Sequence, residues 1–338
     1  MSSYGMTRAR TVGAIAQAVT EAGGSLGRLF GRAGMPLTLL DTPDRLILLR
    51  DQLALVAAAL REIGDPALPA RLSMQTGIVG LGPIGAQVRS AETLGAALHR
   101  VEVVTPLLLQ TATWTGQRRQ GDDAFYGYGI TERIERGRQA NEVLALGYLL
   151  GTVRHFLGPA WRPERAVVTG ATLAGRAEIE ACLGCTVSFG PRAGLAFPAR
   201  HLDAANPSRL DPTELSPAET KPIGEDLPAC VCHLIELGLD EARPSIDAVA
   251  RRLGLSRRTL QRRLEQAGTG FADLRRDVTR RRAETLLSTS TQSIGRIAID
   301  LGYSDPAHFT RAFLEWTGAT PSQWRRSVHA EADARSRR

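Results

Sequence analysis

Ala250-Arg251-Arg252-Leu253-Gly254-Leu255-Ser256-Arg257-Arg258-Thr259-Leu260-Gln261-Arg262 and Ala298-Ile299-Asp300-Leu301-Gly302-Tyr303-Ser304-Asp305-Pro306-Ala307-His308-Phe309-Thr310-Arg311 are two copies of one pattern. Ala250, Leu253, Gly254 and Ser256 recur as Ala298, Leu301, Gly302 and Ser304, 48 residues on. Past the turn the offset becomes 49, so Leu260, Arg262 and Leu264 recur as Phe309, Arg311 and Phe313. Each copy is expected to be a helix, a tight turn and a second helix. Ala and Leu three apart mark the buried side where the first helix ends. Gly254 and Gly302 follow at the place where a left-handed residue closes a helix. Ser256 and Ser304 are the expected N-caps of the second helices. Leu260 and Leu264, like Phe309 and Phe313, then face the core at i, i+4, with Arg, Gln, Thr and His between them. That is a helix-turn-helix, whose second helix is offered to a groove of DNA.

The neighbouring segments extend the same domain. Asp226–Leu239 reads as its first helix, and Ser245 as the N-cap of the helix that enters the first motif. Phe271–Leu287 carries Leu274, Val278, Ala283, Leu286 and Leu287 and joins the two motifs. At about 1.5 Å per residue this joining helix is roughly 25 Å long. It can hold two recognition helices about one duplex turn, ~34 Å, apart. Thr320-Pro321 starts a last helix, and 329–338 is expected to be a disordered tail. Upstream, Pro207, Pro212, Pro217 and Pro222 recur through a Ser-, Thr-, Asp- and Glu-rich stretch, so 206–225 is expected to be a linker. The DNA-binding domain is therefore placed at 226–328.

Residues 1–205 read as a mixed α and β domain. Helical spacing covers 7–22, Leu26–Ala33, Arg45–Ile63, Leu94–Leu109, Ala177–Leu183 and Asn141–Leu157. Leu109–Gln117 and Ala124–Glu132 look like the two strands of a hairpin, with short strands at Val167–Thr169, Val187–Phe189 and Gly194–Phe197. The run Gly77–Gly85 has no Walker Lys-Ser/Thr and no dinucleotide-binding glycine spacing. It is expected to be a loop that brings backbone segments close together. The fold class expected is thus two domains: a mixed α/β N-terminal domain and an all-α C-terminal domain with two helix-turn-helix motifs on a linker helix.

A chain of 338 residues has room for both. It holds no apolar run of about 18 residues, so no membrane span is expected. Its first residues do not lead into the apolar core of a signal peptide, so a cytoplasmic location is expected. The net charge is +7, and its placement is uneven. Arg243–Arg338 holds 19 Arg against 10 acidic residues, whereas 1–242 holds 23 basic against 25 acidic residues. Such asymmetry fits a polyanion-binding domain joined to a near-neutral one.

With these residues in view, the C-terminal hundred residues resemble the AraC/XylS family of bacterial transcription regulators. The likeness runs through Ala250–Arg262, Ile297–Ser304, His308-Phe309, Arg311–Phe313, and Gly318, Thr320, Pro321, Trp324 and Arg325. Leu81–Leu98 and Phe189, with Leu195–Leu202, look like the "arabinose-binding" type of sensor domain found in one branch of these regulators. That branch includes ornithine-responsive members, and its sensor is not the cupin of the arabinose regulator. The resemblance implies that Arg258, Gln261 and Arg262 face bases in the first motif. Arg pairs with guanine and Gln with adenine. In the second motif it implies Ala307, His308 and Arg311, beside Pro306. Arg257, Arg263, Ser245 and Thr320 are expected at phosphates. It implies double-stranded DNA, a small-molecule effector and RNA polymerase as partners, with a homodimer as an option. It implies no enzymatic activity, no cofactor, no metal and no membrane. Activation and repression stay open.

The first motif is densely cationic, whereas the second carries Asp305, Pro306 and Ala307, so most specificity is expected from the first. Trp114, Tyr126 and Tyr128, with Phe125, lie on the expected hairpin and are candidates to line an effector pocket. Cys182, Cys185, Cys230 and Cys232 form a CxxC and a CxC, which leaves a thiol- or metal-responsive regulator as the alternative. Buried, inert thiols are the plainer reading. An enzyme with a DNA-binding tail lacks support, since no Pro-Cys-His-Arg nucleophile motif is present.

Overall fold

The structure, a computed structural model, describes residues 4–211, 223, 226–239 and 244–336. The chain divides into two compact units, Met1–Glu225 and Asp226–Arg338.

In the first unit β1 (Met6–Arg8) pairs antiparallel with β2 (Leu46–Leu48), in the register Met6↔Leu48. Between them lie α1 (Arg10–Glu21) and α2 (Leu26–Ala33). The helix expected from Arg45 is corrected here: Leu46–Leu48 is extended, and α3 (Leu49–Ile63) begins only after it. The strand's partner is far off in sequence, so local periodicity carries no trace of the pairing. Next come α4 (Leu68–Thr76), α5 (Pro83–Arg89) and α6 (Leu94–Leu108). The Gly-rich run is a close backbone crossing, as expected, but is partly helical. A Cβ on Gly85 would stand 2.1 Å from the Ile78 carbonyl oxygen.

A hairpin follows. β3 (Thr113–Gln120) and β4 (Asp123–Ile130) turn at Gly121, with φ +61°. Then come α7 (Arg138–Leu157), β5 (Arg165–Val168), α8 (Arg176–Leu183), β6 (Val187–Phe189) and β7 (Ala193–Pro198). Among the described residues these strands form one sheet in the order β3-β4-β7-β5-β6. Only β5 and β6 run parallel, and α8 supplies the crossover that parallel neighbours need. The long helix α7 is apolar around most of its circumference because it lies in the core. Val143, Leu146, Leu150 and Val153 pack with Tyr126, Leu195 and Phe197. Its buried carboxylate, Glu142, is satisfied by the Thr169 backbone N–H at 2.9 Å and hydroxyl at 2.7 Å.

The expected linker starts too early. Asn206 donates to the Arg89 and Ala91 carbonyls, both at 2.8 Å, and the Leu210 N–H donates to Arg89 at 3.0 Å. Residues 206–210 are thereby tied to the first unit, while 212–222, 224 and 225 lie outside the described residues.

The second unit is helical: α9 (Leu227–Gly238), α10 (Ile246–Arg252), α11 (Arg257–Gln266), α12 (Phe271–Thr289), α13 (Ile294–Asp300), α14 (Pro306–Thr317) and α15 (Pro321–Ser336). α10 with α11, and α13 with α14, are the two helix-turn-helix pairs, and α12 joins them. Gly254 (φ +67°) and Gly302 (φ +78°) close the first helices. In both turns the next N–H reaches five residues back, Leu255 to Ala250 at 2.8 Å and Tyr303 to Ala298 at 2.9 Å. That is a Schellman turn in each motif.

Ser256 caps α11 as expected, accepting from the Thr259 N–H at 3.2 Å. The cap of α14 is corrected from Ser304 to Asp305, which accepts from the Ala307 N–H at 2.9 Å. The residue added to the second turn moves the helix start by one. Pro306 at the first helical position suits that start, since its fixed φ is helical and it lacks an N–H. The tail expected from 329 is also corrected: α15 continues to Ser336. The composition of 329–336, with three Ala and no Gly or Pro, carries no stop signal.

Candidate functional site

Helix α11 owes its two-sided character to its spacing. Leu260 and Leu264 are fully buried, and Arg258, Gln261 and Arg262 on the opposite side are exposed. These three sit at i, i+3 and i+4, so they form one stripe. Glu265 extends the stripe by another turn and is also exposed. It escaped the sequence reading, although i+7 from Arg258 marks it; a carboxylate there suits the amino group of cytosine.

Helix α14 is built alike. Phe309 and Phe313 are fully buried, and Pro306, Ala307, His308 and Arg311 are exposed. The His308 ring meets Tyr303 edge-on, at 5.5 Å between centroids and 90° between planes. One face of the imidazole is thus fixed by packing while the residue stays open to solvent. The structure brings together the residues expected at bases within each motif.

The residues expected at phosphates are placed differently from one another. Arg257 shares its charge with Asp247 of α10 at 3.5 Å. Arg263 is half-buried on the flank of α11. The Ser245 hydroxyl accepts from the Ala248 N–H at 3.1 Å. Thr320 forms a reciprocal capping box: its N–H donates to Gln323 Oε1 at 2.9 Å, and its Oγ1 accepts from the Gln323 N–H at 3.3 Å. Both hydroxyls are engaged as caps, so these two residues set the first turns of α10 and α15. The basic stretch Arg275–Arg282 of α12 was missed. Arg275, Arg276, Arg281 and Arg282 are exposed there, with Arg276 paired to Asp273 at 3.0 Å.

In the first unit the hairpin aromatics separate by face. Tyr126 and Tyr128 point into the core and line a cavity of about 90 Å³. Trp114 and Phe125 lie on the other face, which corrects their grouping with the two tyrosines. Strand alternation is the reason, since successive side chains leave opposite sides of a sheet. Trp114 lies across the opposed strand, where a Cβ on Gly129 would come within 2.3 Å of its indole nitrogen. Arg192 stands 5.1 Å from the Trp114 ring centre. Inside the cavity, Tyr128 Oη accepts from Gln110 Nε2 at 3.1 Å and Asn141 Nδ2 at 2.7 Å. Burial pushes the Tyr128 phenol up to about 12. Tyr126, also raised by burial, donates to the Leu98 carbonyl at 3.0 Å.

The cysteines are free thiols. Cys182 and Cys185 pack against the core of the first unit, and Cys230 is buried in α9 of the second. Burial raises the thiols of Cys185 and Cys232, chiefly by desolvation, although Arg281 beside Cys232 acts against it. A raised thiol is a poor nucleophile and a poor metal ligand at neutral pH.

Residues 23–206 match the family model described as the arabinose-binding domain of AraC transcription regulator, N-terminal, and residues 249–327 match a helix-turn-helix domain. The chain is 29% identical over 306 residues to the HTH-type transcriptional regulator VirS of Mycobacterium tuberculosis, covering 87% of this chain and 88% of that one. It is 27% identical over 327 residues to the ornithine utilization regulator of Pseudomonas aeruginosa, covering 92% and 94%. Among solved structures, the transcriptional regulator CdpR of Pseudomonas aeruginosa aligns with a TM-score of 0.43 at 20% identity, over 93% of this chain and 96% of that one.

Proposed function

Since the chain belongs to the AraC family of transcription regulators, we propose that a small organic effector held by its N-terminal unit controls promoter binding by its C-terminal unit. The DNA-binding half of this reading rests on one observation. Arg258, Gln261 and Arg262 stand exposed in a single stripe on a helix whose other side is sealed by Leu260 and Leu264. Such a stripe suits the major groove, where Arg pairs bidentately with guanine and Gln with adenine.

In this reading α11 selects sequence and α14 fixes register, with Ala307 against a thymine methyl and His308 and Arg311 toward the groove. Arg257 and Arg263 neutralise phosphates, and Ser245 and Thr320 hold the first turns of their helices in place. The bound chain meets RNA polymerase at the promoter, alone or as a homodimer, and catalyses no reaction. The effector half rests on the cavity behind Tyr126 and Tyr128. The test is selection of genomic fragments by the purified full-length chain, followed by affinity measurement with and without candidate effectors. One recurrent site, bound with effector-dependent affinity, is expected. Binding that shows no sequence preference would sink the first half of the reading, and an affinity indifferent to every effector would sink the second.

A further inference from the structure

Among the described residues, the cavity behind Tyr126 and Tyr128 carries polar groups without a partner. Gln52 is 2% exposed, and its Oε1 is buried without a hydrogen-bond partner among the described residues. Thr11 Oγ1 is buried without one as well, and both residues line the cavity. Tyr128 Oη takes two N–H donors, from Gln110 and Asn141, which occupies both of its lone pairs. Its own proton then has no acceptor among the described residues. Buried polar atoms left unpaired are costly, and the large majority in folded proteins find a partner. Around them the wall is apolar, including Ile84, Val101, Leu144 and Leu149.

No Asp, Glu, Lys, Arg or His lines this cavity among the described residues. An ion entering it would shed hydration and meet no counter-charge, which disfavours charge there. At about 90 Å³ it has room for several water-sized groups, and a single water needs only about 10–15 Å³ on that scale. We propose that this cavity binds an uncharged organic molecule of a few heavy atoms, with one group that both donates to Gln52 Oε1 and accepts from the Tyr128 hydroxyl. A primary carboxamide or an alcohol on a short hydrocarbon body has that chemistry. A free amino acid or a diamine does not. The inference rests on the effector reading only for its regulatory consequence.

The test uses isosteric pairs that differ in charge: pentanamide against pentanoate, and pentan-1-ol against pentylammonium. Melting of the full-length chain is followed at millimolar concentrations of each. The neutral member of each pair is expected to raise the melting temperature, since it binds only the folded state. Its ion should leave the melting temperature unchanged. Gln52→Leu should weaken binding of pentanamide by about tenfold, as a lost hydrogen bond to a buried group does. The same variant without ligand should melt no lower than the parent, because an unpaired acceptor has been replaced by hydrocarbon. If Gln52→Leu does not fold, Gln52→Met, closer in shape, removes the same acceptor and should produce the same loss.

Equal shifts from amide and carboxylate, no shift from any neutral compound, or binding untouched in both variants would each overturn the assignment. Operator affinity measured in the same samples separates the two readings. An effector response that survives both variants leaves effector control standing and removes this cavity from it. Binding here that leaves operator affinity unchanged does the reverse.

Discussion

Arg262 and Arg311 hold corresponding places in the two motifs, and their neighbours decide what each can do. Arg262 stands in a stripe with Arg258 and Gln261, three side chains able to address base edges together. Arg311 shares its exposed side with Pro306 and Ala307, which bring no side-chain hydrogen bonds. Arg262→Ala is therefore expected to cost about 1–3 kcal/mol of operator binding and to relax sequence preference. Competition against mutated operators reads both effects, and unchanged binding to the cognate site would refute the assignment.

At the same scale, His155 bears on stability. Burial depresses its pKa below 6.5, while its Nε2 lies 3.1 Å from Asn206 Oδ1. The unfolded chain takes up a proton that the folded one resists. Its contribution is thus whole above pH 6.5 and is lost as the pH falls from there through the folded-state pKa. Melting temperature should decline across that window, and His155→Gln should flatten the decline.

Elements in the second unit follow rules that act over one or two turns, and those were legible in the residues. Apolar positions at i and i+4, a Gly after each first helix and a capping side chain before each second one suffice to draw both motifs. The one miscounted cap shows the limit of copying a repeat: Ser304 matches Ser256 in sequence, but Pro306 moves the helix start to Asp305. Asp305→Ala should lower the stability of this unit by about 1 kcal/mol. It should weaken operator binding without changing which bases are preferred at the first motif, as measured by denaturation and by base-swap competition.

Most of the first unit's helices and its hairpin were legible locally, but β1 and β2 depend on a pairing that no local window reveals. The strand Leu46–Leu48 reads as the start of α3 until Met6–Arg8 is laid beside it. The division of Trp114 and Phe125 from Tyr126 and Tyr128 was within reach, since strand alternation predicts it once the hairpin register is known. The orphaned groups of Gln52 and Thr11 were not, because each acquires meaning only from the walls of a cavity built by distant segments.

For the whole molecule, charge is the organising quantity. Basic residues concentrate beyond Arg243, and the preceding part is slightly acidic. DNA binding should accordingly weaken steeply with salt, with a log–log slope of about −0.9 for each phosphate neutralised. A titration of affinity against salt concentration measures it, and a flat response would count against a phosphate-dominated interface. Pairing the motifs in one chain has a further result. A symmetric dimer reads a palindrome and looks the same from either end. Here α11 and α14 differ in charge and in cap, with α12 between them in the chain, so no exact twofold axis relates them. In the reading proposed above, each chain on its site has a head and a tail. Turning the site around on the chromosome would keep every contact and reverse which end looks toward the start of transcription.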